Sequence, residues 1–141
     1  MFKVTIYTIG KVKESWLVEG LDEYTTRLKN VMGIEWILAK NLEELTQKVE
    51  KLPSYTCLDP AAKLFTSEEL ALWLNKEFIK GGSRLNLVIG GADGLSEKIR
   101  QKADSFLSLS PLTFTHQMTR LILLEQLYRA LEIQKGSAYH K

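Results

Sequence analysis

Cysteine is almost missing from this sequence. Cys57 stands alone, so no internal disulfide can form, and a reducing compartment fits. Proline is scarce, with three in 141 residues, and no Pro/Gly/Ser-rich stretch divides the chain. Two histidines and one cysteine make no convincing zinc site, and H-E-x-x-H is absent, so no metal is expected. No apolar run approaches the roughly 20 residues needed to span a bilayer. The opening MFKVTIYTIGKVKESW has no long apolar stretch behind basic residues, so neither a signal peptide nor a membrane partner is expected. A cytoplasmic location follows as an expectation. A strong charge of one sign is also lacking: the net charge is +2, which does not announce a nucleic-acid binder. Missing too are G-x-G-x-x-G, a Walker A lysine motif, a G-x-S-x-G elbow and a compelling carboxylate pair for glycoside hydrolysis.

What is present reads as one globular domain over residues 1–141. The hydrophobic fraction of 45% and charged fraction of 26% can build a core of ordinary kind. Phe2–Ile9 is β-branched and partly alternating, which predicts a strand ended by Gly10. Leu17, Leu21, Tyr24 and Leu28 recur at helical spacing. Gly33 separates that helix from a short strand, Ile34–Leu38. Asn41 can cap a helix to about Lys51, stopped by Pro53. Tyr55–Leu58 predicts a third strand, in which Cys57 packs as a small hydrophobe. Thr66 and Glu69 have capping-box spacing and open a helix that Gly81 and Gly82 end. Leu85–Ile89 reads as continuously apolar, as expected of a central strand buried on both faces. A helix from about Ser96 to Lys102, a strand Phe106–Leu109 and a long helix His116–Gln134 complete the chain. Strands alternating with helices predict an α/β fold, with a mainly parallel sheet and helices on both faces.

In such sheets the ligand sits outside the carboxyl ends of the strands. That rule selects Leu58, the turn Gly90–Gly94 and the loop Leu109–Phe114 as one pocket rim. The glycines of LVIGGADG either let backbone approach a ligand or simply make a tight strand-to-helix turn. The loop of LSLSPLTFTHQMTR can offer backbone groups to a heterocycle, or can be an ordinary helix start capped by Thr115. His116 opens the helix, and Arg120 lies one turn later. Leu121, Leu124, Leu127, Tyr128 and Leu131 form an apolar face for a core or a dimer interface. Glu125 and Arg129 read as an ordinary surface pair. The tail Ala138-Tyr139-His140-Lys141 is either a frayed end or an aromatic, imidazole and cation set able to bind RNA.

Taken together and in order, LVIGGADGL, LSLSPLTFTHQMTR, LLEQLYRA and the closing AYHK resemble the ribosomal RNA large subunit methyltransferase H family. KVTIYTIGKVKESW and TCLD resemble it as well, so the likeness covers essentially the whole chain. The segment between Asn41 and Ser54 departs from it, being shorter than in many relatives. The resemblance implies a SPOUT-type fold with a C-terminal trefoil knot, which nothing in the periodicity indicates. It implies a homodimer that binds S-adenosylmethionine (S-adenosyl-L-methionine) in a bent shape. Its cofactor contacts fall on Leu58, Gly90, Leu109, Ser110, Pro111, Leu112, Thr113 and Phe114. The implied reaction is methylation at N3 of a pseudouridine in 23S, large-subunit ribosomal RNA, within a ribosome. The N3 proton must leave for the nitrogen to attack well. His116, Arg120, Tyr139 and His140 are the catalytic candidates, with Arg120 stabilising the developing anion and a histidine accepting the proton. The alternatives are a non-catalytic RNA-binding or ribosome-associated module of the same fold, or a small-molecule nucleotide-binding enzyme.

Overall fold

Strand and helix alternate from one end of the chain to the other in the computed structural model, which describes residues 1–140. Lys141, expected to be attracted to phosphate, lies outside the described residues. In chain order the elements are β1 (Phe2–Ile9), α1 (Ser15–Leu28), β2 (Met32–Ala39), α2 (Leu42–Val49), β3 (Thr56–Leu58), α3 (Ser67–Lys80), β4 (Arg84–Val88), α4 (Glu97–Lys102), β5 (Ser105–Leu107) and α5 (His116–Lys135). The strands form one sheet in the order β2-β1-β4-β3-β5, and every pairing is parallel.

The period-two alternation of each strand divides the core into two layers. Val4 and Ile6 of β1 and Leu85 and Leu87 of β4 face α1, α3 and α5. Tyr7, Ile9, Cys57 and Val88 face the other way, against α2 and α4. The Cys57 thiol is fully buried, and burial pushes it up to about 12, so it packs as an inert small hydrophobe.

Local sequence signals set most boundaries. Asn41 accepts a hydrogen bond from the Glu44 amide, and Thr66 and Glu69 bond reciprocally as a capping box. Thr115 caps α5 through the Met118 amide, and Gly136 closes it at φ +72°, a left-handed conformation that favours glycine.

Two expectations need correction, and one that was left open is decided in part. Gly33 does not separate elements: it lies inside β2, opposite Lys3, because the parallel ladder with β1 extends to Met32. The central strand is not apolar throughout. Asn86 interrupts it, half-buried, and donates to the Ser54 carbonyl. The apolar side of α5 is mostly the subunit's own core. Of the face expected for a core or an interface, Leu124, Leu127 and Leu131 are buried against α1 and α3 together with Leu123 and Ala130, while Leu121 and Tyr128 are half-buried. Among the described residues, no helix is long and apolar enough to cross a membrane.

Candidate functional site

Parallel strands all deliver their carboxyl ends to one side, and the loops that leave them there must wall whatever space remains. Here they enclose a cavity of about 710 Å³, within the range of small-molecule sites. Leu58 ends β3 and Asp59 follows it, Gly90 and Gly91 follow β4, and the loop after β5 supplies Leu109, Ser110, Leu112, Thr113 and Phe114. His116 and Gln117 close it from the first turn of α5. Seven of the eight positions expected to hold a cofactor thus line one cavity. Pro111 is exposed and lies outside the lining residues.

The glycine turn has its own reason to contain glycine. A Cβ on Gly90 would lie 2.8 Å from the Gly94 carbonyl carbon and 2.9 Å from its oxygen. Gly94 returns its amide to the Gly91 carbonyl at 3.0 Å. Gly90 therefore permits a tight turn, which shapes the cavity wall. The opposite loop is also self-organised. Ser108 donates to the Pro60 and Ser110 carbonyls, and the Ser110 hydroxyl accepts from the Leu112 amide at 3.0 Å. A parallel bridge joins Leu64 to Ser108, so the segments after β3 and β5 are tied together.

The wall carries charge that sequence reading missed. Asp59 pairs with Arg100 at 2.9 Å. The Ala61 amide and Arg100 hold its carboxyl below the usual range despite partial burial. The signal was available in TCLD, where an acid directly follows β3, but Arg100 lies on a different element. The His116 imidazole is pushed down by burial and then by the Arg120 charge, so it is neutral near pH 7 and can accept a proton.

Arg120 is not at the cavity surface. Its side chain is buried, and Nη2 donates to the Ile9 and Gly10 carbonyls, both at 2.8 Å. Its guanidinium stacks 5.8 Å from the Trp36 ring, and Nε has no partner. The expected role on a developing anion does not match this geometry. Arg120 ties α5 to the end of β1, beneath the cavity.

The tail is docked rather than frayed. The Tyr139 hydroxyl donates to Glu125 Oε2 at 2.7 Å, and its ring meets Tyr128 edge-on at 4.9 Å. His140 lies between Arg129 and Glu68. Glu125 and Arg129 are therefore more than a surface pair. Burial pushes the Glu125 carboxyl up, but hydrogen bonds from Arg129 and Tyr139 outweigh this and hold it below its usual range. Burial and the Glu125 contact push the Tyr139 hydroxyl up, which keeps it a hydrogen-bond donor. Arg129 lies nearly four turns beyond His116, about 20 Å along the axis at ~1.5 Å per residue. Within one chain, the structure brings His116 to the cavity and leaves Tyr139 and His140 on a separate surface. No group of three or more His, Cys, Asp or Glu that could hold a metal ion occurs among the described residues.

A parallel α/β sheet with a cavity at its carboxyl ends, walled by a glycine turn and the loop into the last helix, defines an α/β protein built to hold a small molecule. Residues 2–140 match the family model described as "Predicted SPOUT methyltransferase". Two solved structures are similar in fold. One is a probable methylase family protein from Haemophilus influenzae Rd KW20, with TM-score 0.56 and 11% identity over 98% of this chain and 70% of that one. The other is the putative methyltransferase Lpg2936 from Legionella pneumophila in complex with SAM, with TM-score 0.53 and 13% identity over 92% of this chain. This chain spans 66% of that longer protein. Sequence similarity is much closer to the ribosomal RNA large subunit methyltransferase H of Protochlamydia amoebophila, 49% identical over 100% of both chains. The Halothermothrix orenii protein of the same name is 41% identical over 99% of both. The chain belongs to the ribosomal RNA large subunit methyltransferase H family.

Proposed function

We propose that this protein methylates N3 of a pseudouridine in 23S ribosomal RNA, using S-adenosylmethionine, as a single-domain cytoplasmic homodimer acting on a ribosome. The observation that carries the reading is the convergence of three strand-end segments on one cavity, in a chain of this family. The residues present fit the cofactor. Leu58, Leu107, Leu109 and Phe114 offer apolar walls for a heterocycle, the glycine turn offers backbone, and Asp59 and Arg100 offer charge. When bound, the cofactor supplies a sulfonium-activated methyl group, so the protein's work is chiefly alignment.

Neutral His116, at the cavity mouth, is placed to take the N3 proton or to hold the base by a hydrogen bond. Arg120 keeps α5 and β1 in register below it. Tyr139 and His140 lie too far from their own cavity to act there, which supports a dimer in which the tail of one subunit completes the cavity of the other. The trefoil knot of the family belongs to the same reading.

The test is incubation with labelled cofactor and free 23S RNA, the large subunit or the assembled ribosome, followed by mapping of the modified base. Label at N3 of one pseudouridine is the expected result. Cofactor binding without transfer to any of the three substrates would favour the non-catalytic RNA-binding module instead.

A further inference from the structure

His140 is gripped at both ring nitrogens. Its Nδ1 lies 3.1 Å from Arg129 Nη1, and its Nε2 lies 2.9 Å from Glu68 Oε1. A guanidinium has N–H donors and no acceptor, whereas an ionised carboxylate has acceptors and no donor. Both contacts are hydrogen bonds in one neutral form only, with the lone pair on Nδ1 and the hydrogen on Nε2. The other tautomer would set N–H against N–H at Arg129 and a lone pair against the carboxylate at Glu68.

The partners are themselves fixed. Arg129 gives Nε and Nη2 to Glu125, which leaves Nη1 for the histidine. Tyr139 stacks over the same guanidinium at 4.8 Å and bonds to the same carboxylate. On α3, Glu69 is consumed by the capping box, so of the two adjacent acids Glu68 is the one left to reach the tail. The Ser67 hydroxyl donates to Gln126 Oε1 at 2.8 Å and ties the first turn of α3 to α5. Glu68 and Arg129 therefore stand in a set relation on either side of the ring.

We propose that Glu68 is a positioning residue which, opposite Arg129, holds His140 as its Nε2–H tautomer with the Nδ1 lone pair committed to Arg129, so that the tail meets RNA with a neutral ring fixed in one orientation. The structural half of this inference stands on the contacts. The half concerning the reaction rests on the proposed function of the tail.

The experiment is long-range proton–nitrogen correlation NMR of the full-length protein, with the two histidines distinguished by His116→Gln. Wild-type His140 should carry its hydrogen on Nε2. Glu68→Ala should give mixed tautomers, and Glu68→Gln, whose amide oxygen still accepts, should keep the wild-type pattern. In single-turnover methylation, Glu68→Ala should lower the rate about two- to fivefold, the size that an exposed charge contact carries. Cofactor affinity should not change, and Glu68→Gln should restore the rate. A hydrogen on Nδ1 in the wild type, or an unchanged spectrum in Glu68→Ala, overturns the positioning role. Mixed tautomers with a wild-type rate overturn its part in the reaction. A wild-type rate in His140→Ala would instead sink the tail's catalytic part, while the tautomer measurement still decides what Glu68 does.

Discussion

His116 and Gly90 both line the cavity, and each makes a prediction that is local to one residue. Burial, with the Arg120 charge adding, holds the His116 imidazole below its ordinary 6.5. The unfolded chain therefore binds this proton more readily than the folded one, and stability rises with pH across the window. The contribution is complete above the unfolded value and is lost as pH falls below 6.5 toward the folded value. Thermal unfolding between about pH 7.5 and 5.5 should show this acid loss, and His116→Gln should flatten it. An equal slope in both proteins would reject the assignment. Gly90→Ala forces a Cβ into the Gly94 backbone, which cannot rotate away as a side chain can. It should destabilise the protein by about 1–3 kcal/mol, as overpacking does, and weaken cofactor binding because the turn moves. Gly20→Ala is the control, since its Cβ meets only the end of Leu121. Calorimetry and unfolding curves that fail to separate the two variants would refute the steric account.

The element that matters most is α5, because it joins cavity, core and tail. Its first turn presents His116, and its middle buries Leu123, Leu124 and Leu127 on one side and docks the tail through Glu125 and Arg129 on another. Arg120 fixes the angle of the helix by bonding to two carbonyls at the end of β1. Arg120→Met should leave those carbonyls without their charged donor. A cost of about 2–6 kcal/mol is expected for the two carbonyls, since each buried unsatisfied group costs about 1–3 kcal/mol. Denaturant unfolding should register it as a lower midpoint with an unchanged slope. A methylation rate that falls while the midpoint stays at the wild-type value would return Arg120 to a direct part in the reaction. The periodicity of α5 identified an apolar side correctly. It could not say that this side meets α1 and α3 of the same chain, because a core face and an interface face have the same spacing.

At the scale of the whole molecule, a single chain holds the cavity and the tail apart. Removing residues 137–141 should abolish methylation while leaving fold and cofactor affinity nearly intact, if the tail serves a partner's cavity. Mixing a tail-truncated subunit with one carrying a defective cavity should restore activity in the dimers that pair an intact tail with an intact cavity. Full activity from a monomer at micromolar concentration, or from the truncated protein, would refute composite sites. Sedimentation and single-turnover methylation on ribosomes measure the two halves of this prediction.

The sequence by itself determined what depends on neighbours along the chain. Alternation in β1, the caps at Asn41, Thr66 and Thr115, and the stop at Gly136 are satisfied within a few residues, so local chemistry specifies them. The carboxyl-end rule reached the cavity from element order alone, because parallel strands all end on the same side. Tertiary structure decided what depends on partners distant in sequence. It sent Arg120 to Ile9 and Gly10 and set Asp59 against Arg100. It also drew Glu68 to His140 across half of the chain, turning an apparent frayed end into a docked arm. The reason is geometric: spacing along one helix or strand fixes which face a side chain occupies, but only packing between elements fixes what that face meets.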